Sequence, residues 1–183
     1  DAGRVGEHAG PGGQGGEHRL AQHPSDLIVL NGDGVTVILE CRADSAPLWR
    51  YWGPRLPDAV MTGPGLETTR QVPSYSLDAP IAFALFPTFG LGWFEQSALL
   101  AHRDGVDFAH GFDSCAVKWV DSGKAVSFTL GDSVAKIEVG VSLALAGDVL
   151  TLSTTLTNIG DSALEVQAFA AASLPLPDHA RQV

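Results

Sequence analysis

The chain has 183 residues, 45% of them apolar, enough to build one packed domain and too many for global disorder. Its 21 acidic side chains against 11 basic give a formal charge of −10, which repels polyanions and sets nucleic acid aside as a partner. No apolar run reaches the roughly 18 to 20 residues of a membrane span, so no membrane partner is expected. The first 26 residues, with G-P-G-G-Q-G-G-E-H-R among them, lack any apolar period and are expected to form a flexible Gly-rich leader. His8, His18 and His23 fall there as incidental residues, and the opening lacks the apolar stretch of a signal peptide. From Leu27 to Val183 the pattern is that of a β-sandwich domain, expected to be incomplete.

In chain order, L-I-V-L stops at N-G-D-G, a hairpin signal because Asn and Gly tolerate positive φ. V-T-V-I-L-E-C-R then sets Val35, Val37, Leu39 and Cys41 on one face, and L-W-R-Y-W-G reads as a third strand. Strict alternation would put Trp49 and Tyr51 on one side of it, Arg50 and Trp52 on the other. After a long connection dotted with Pro and Gly, A-V-S-F-T-L turns at G-D-S. I-E-V-G-V-S-L-A-L then aligns Ile137, Val139, Val141, Leu143 and Leu145. A-G-D turns again into L-T-L-S-T-T-L-T, and N-I-G-D-S reverses the chain before L-E-V-Q-A-F-A. A period of two with no helical period of 3.6 predicts an all-β, antiparallel sandwich with one wet face per sheet.

Chemistry is sparse. H-R-D-G-V-D-F-A-H, from His102 to His110, has the H-R-D of a kinase catalytic loop but carries Ala109 where a metal-binding Asn would stand. His102, Asp104, Asp107 and His110 match no compact metal motif, and R-D-G is itself a turn signal. Asp104, Asp107, Asp113 and Asp121 offer no pair that sequence alone places across a glycosidic bond, and no G-x-S-x-G elbow is present. No catalytic residue, metal or cofactor is therefore assigned. Cys41 and Cys115 match no metal or redox spacing, which favours a reducing, cytoplasmic compartment. The aromatic groups remain: Trp49, Tyr51 and Trp52, then Phe86, Phe89, Trp93 and Phe94 around paired glycines. They pack within the sandwich or against a neighbouring domain, or stack on a sugar ring.

L-W-R-Y-W-G-P-R-L-P-D, S-Y-S-L-D, F-P-T-F-G-L-G-W-F-E-Q-S-A-L and L-T-N-I-G-D-S-A-L-E-V, in that order, resemble the N-terminal domain of glycoside hydrolase family 36, the α-galactosidases. The resemblance implies part of a supersandwich that packs on a (β/α)₈ barrel, whose two Asp residues hydrolyse terminal α-linked galactose with retention. That barrel would be the chain's main partner, and a homo-oligomer and an α-galactoside substrate are implied with it. The chain alone is expected to be inactive. In oligomeric members a loop after Y-W-G presents an Asp to the sugar of a neighbouring subunit. G-P-G-L-E-T-T-R puts Glu67 at that place, and Trp93 and Glu95 stand where many members carry Asp and Arg. Trp52, Glu67 and Trp93 are accordingly the candidate substrate-facing residues. The alternative is a stand-alone carbohydrate-binding sandwich that binds sugar through exposed Trp, and a weaker one is an inert structural module.

Overall fold

The computed structural model describes residues 26–60, 69–70, 81–121 and 123–175. The leader and Glu67 lie outside them. No helix among these residues is long and apolar enough to cross a membrane.

A first antiparallel sheet holds β1 (Asp26–Asn31), β2 (Val35–Arg42) and β3 (Ser45–Pro54) in that order. Short β4 (Thr69–Arg70) and β5 (Ile81–Ala82) pair with each other, and β6 (Leu99–His102) pairs with the late strand β11 (Glu165–Phe169). The second main sheet runs β10 (Val149–Asn158), β9 (Ile137–Ala146), β8 (Ala125–Asp132), β7 (Ser114–Asp121), all antiparallel. The all-β antiparallel sandwich expected from the alternation is present. Patterning made β8, β9 and β10 legible, whereas β6 and β7 had no comparable signal.

The two inner faces merge into one core. Ile28, Leu30, Val37, Leu39, Cys41 and Trp49 come from the first sheet; Val126, Phe128, Leu130 and the β9 series from Ile137 to Leu145 come from the second. Their outward neighbours on β9, such as Glu138 and Ser142, are exposed, as a one-sided sheet requires. Strand β2 departs from that rule, because Thr36, Ile38 and Glu40 on its other face are buried too. Thr36 is satisfied there: its hydroxyl donates to Asn31 Oδ1 at 2.9 Å and accepts the Leu56 N–H at 3.1 Å. Phe86 lies 5.9 Å from both Phe112 and Phe169, which ties the β6–β11 pair into the core.

The sheets are fastened at both ends. At one end Asn31 N–H donates to Gly123 O at 3.0 Å, and Gly34 N–H donates to Asp148 Oδ1 at 2.6 Å. This contact explains the N-G-D-G segment differently from the sequence expectation. Neither Gly32 nor Gly34 is among the residues with positive φ. Gly32 is needed for closeness instead: a Cβ there would sit 2.0 Å from the Gly147 carbonyl oxygen. At the opposite end one side chain, Arg103, joins three turns. It donates to Ala135 O at 3.0 and 3.2 Å, to Asn158 Oδ1 at 2.6 Å and to Ser162 O at 2.5 Å. Its backbone closes the R-D-G turn with Val106, and Asp104 and Gly105 both take positive φ, the primed geometry that matches strand twist.

Candidate functional site

The aromatic strand is built around a bulge. Ile38 pairs with Tyr51 and Leu39 with Trp49, so Arg50 is an extra residue on β3. Beyond it Trp52 pairs with Val37, on the same face of β2 as Leu39. The bulge thus corrects the alternation expected from sequence: Trp49 and Trp52 share the core face, while Tyr51 lies opposite with Ile38. No residue type in W-R-Y-W marks that shift.

Trp49 is fully buried, and its indole N–H donates to Ser173 O at 2.8 Å. Trp52 is half-buried and packs on the margin of the core. On the other face Arg50 forms an ion pair with the buried Glu40, whose second oxygen takes the Arg42 Nε–H at 3.0 Å. Such pairing offsets the cost of taking a charge this deep out of water. Tyr51 donates to Pro54 O at 2.7 Å, and partial burial pushes its phenol up from the ordinary value.

The second aromatic stretch lies alongside. Trp49 N–H donates to Phe83 O at 2.8 Å and Leu85 N–H to Pro47 O at 2.7 Å, so residues 83–85 run against the start of β3. Phe83 and Trp93 then meet edge to face, with ring centres 4.9 Å apart. Trp93 is only 4% exposed, whereas the adjacent Phe94 is 78% exposed. Between Phe83 and Trp93 the chain makes a tight 3₁₀ turn, Phe89–Leu91, in which Gly90 N–H donates to His110 O at 2.9 Å. A Cβ on Gly90 would meet that same oxygen at 2.3 Å, which accounts for the first glycine of G-L-G. Sequence reasoning singled out Trp93 and missed Phe83, the ring that holds it; the F in I-A-F-A-L carried no distinguishing signal.

Of the candidates, Trp93 is drawn toward β3 through Phe83, Trp52 sits farther along the same strand, and Glu67 lies outside the described residues. The histidines of H-R-D-G-V-D-F-A-H are held separately. His102 Nδ1 accepts the Gly105 N–H at 3.2 Å, and its Nε2 faces Gln167 at 3.2 Å and Glu165 at 3.8 Å. His110 is buried, with Nε2 3.1 Å from Ala101 O and Nδ1 3.5 Å from Asp132 Oδ2. Asp132 in turn accepts the N–H groups of Gly111, Val134 and Ala135, so it organises the β8–β9 turn. Among the described residues no three His, Cys, Asp or Glu side chains are grouped to hold a metal ion. Trp49, Trp93 and His110 are thus held in packing and hydrogen-bonding roles.

Residues 45–183 match the sequence profile of the glycosyl hydrolase family 36 N-terminal domain. Among solved structures, the fold is similar to an α-galactosidase from Lactobacillus brevis, with a TM-score of 0.59 and 18% identity over 83% of this chain. It is also similar to the family 36 α-galactosidase AgaA from Geobacillus stearothermophilus, with a TM-score of 0.57 and 14% identity over 80% of this chain. The chain spans 24% of the length of each of these proteins. No curated protein sequence matches it. With the profile match covering every residue from β3 onward, the chain belongs to glycosyl hydrolase family 36, through its N-terminal domain.

Proposed function

We propose that this domain is the non-catalytic N-terminal portion of a retaining α-galactosidase that releases terminal α-linked galactose. The observation that carries the reading is the match of residues 45–183 to a domain that, in the two structures compared, forms about a quarter of a larger α-galactosidase. The two carboxylates that retention needs would come from a (β/α)₈ barrel elsewhere in the parent enzyme. The domain's role is to support that barrel and contacts between subunits. Trp52 and Glu67 are the residues assigned to the substrate side. Trp93 is assigned there with them, its ring held edge to face against Phe83. The buried thiols of Cys41 and Cys115 fit a reducing, cytoplasmic setting.

The test compares the 183-residue chain with the product of its complete coding sequence, both assayed on p-nitrophenyl α-galactoside with the anomer of the product followed by NMR. The reading expects an inactive short chain and a retaining long one. Activity in the short chain, or an inactive complete protein, overturns it. Saturable quenching of Trp fluorescence by galactose in the short chain would instead favour the carbohydrate-binding module.

A further inference from the structure

The end of the sandwich gathered by Arg103 is unlike an ordinary cluster of turns. Hairpin tips are normally polar, yet here the three joined turns carry Val106, Val134 and Ile159 at 57%, 78% and 51% exposure, with Phe108 at 63% beside them. The turns that carry the first three are tied to one another by Arg103. Arg103 bonds to Ala135 O, one residue from Val134, and to Asn158 Oδ1, one residue from Ile159; its own backbone pairs with Val106. An apolar group fixed in place before any partner arrives loses little freedom on binding.

The surroundings define what fits. Asp104, Asp107, Asp113, Asp161 and Glu165 are exposed around the same turns, and Asp113 is held there by Ser133, next to Val134. On the basic side stand Lys136 and the guanidinium of Arg103, which is committed to carbonyl and amide oxygens. We propose that this apolar-tipped, acid-rimmed end is a docking surface for a protein segment whose apolar side chains are flanked by Lys or Arg. A second copy of the chain would bring acid against acid and is disfavoured by the same charges. The inference rests on this surface alone and stands apart from the galactosidase reading.

Isotope-labelled 183-residue chain is titrated with an amphipathic peptide of leucine and lysine, and separately with its leucine–glutamate counterpart. Amide shifts confined to 103–108, 133–136 and 158–162, seen with the lysine peptide alone, are expected. The double variant Val134→Thr/Ile159→Thr keeps β-branching at both exposed positions, should leave the melting temperature unchanged and should weaken binding at least tenfold. Asp107→Asn/Asp161→Asn should weaken it as well. The proposal fails if shifts scatter over the acidic surface and the threonine variant binds like the parent, which means charge alone. It also fails if both peptides bind equally, or if those amides shift with protein concentration without peptide, which means self-association.

Discussion

Trp49 combines two anchors that a smaller aromatic cannot reproduce: a ring with no exposure and an N–H on Ser173 O. Trp49→Phe removes part of the buried area and leaves that carbonyl without its donor. The expected loss is about 2 to 3 kcal/mol in urea unfolding. Cys115 allows a pH experiment. Burial pushes its thiol up to about 11 from an ordinary value of 9.0, so the native state keeps the proton that the unfolded chain gives up. Stability from this group is therefore present below pH 9 and lost as pH climbs toward 11. Urea midpoints measured from pH 8 to 11 should fall more steeply for the parent than for Cys115→Ala. The buried thiol should also react slowly with thiol reagents at pH 8 until the protein is unfolded.

At the scale of elements, the turns show where sequence signals were sufficient. Alternation over Ile137–Ala146 and Val149–Asn158 fixed two strands and the G-D turn between them, because period two and a turn residue are both local properties. R-D-G likewise announced the Asp104–Gly105 turn. N-G-D-G marked the β1–β2 hairpin, but the bulge at Arg50 and the need for Gly32 were hidden, since each is settled by a residue outside its own segment: Leu39 and Ile38 on the paired strand for the bulge, Gly147 for the glycine. Among the candidate site residues, the burial of Trp93 was equally non-local, resting on Phe83. Two glycines separate these causes experimentally. Gly90→Ala drives a methyl against the His110 carbonyl and should cost about 1 to 3 kcal/mol by disturbing the junction of two segments. Gly105→Ala meets nothing within 4 Å and pays only for its positive φ, on the order of 1 kcal/mol. Urea melts of the two variants should rank in that order, and amide shifts around Trp93 should move in the first alone.

The two main sheets share one core but are unequally enclosed. β2 is buried on both faces between β1 and β3, and β9 lies between β8 and β10 with its entire inner row covered. Toward the margins cover thins: Leu150, Leu152 and Leu156 on β10 are only half-buried, and β7 ends with exposed Trp119 and Val120. Local opening is cheapest where few apolar contacts are lost and an edge is already free of ladder bonds. Native-state hydrogen exchange should then show the slowest amides in β2 and β9, opening only with global unfolding. Amides of β7 near Trp119 and of β10 should exchange through smaller openings. The fastenings at the two ends predict a further contrast. Asp148→Ala frees the Gly34 N–H and should raise exchange in the β1–β2 turn and the β9–β10 turn together, because one bond spans both. Arg103→Lys should raise it at the opposite end, in 133–136 and 158–162, since an ammonium lacks the planar fork that reaches both turns at once. Exchange that rose uniformly in either variant would mean that the ends are not separate fasteners and that the sandwich opens as one unit.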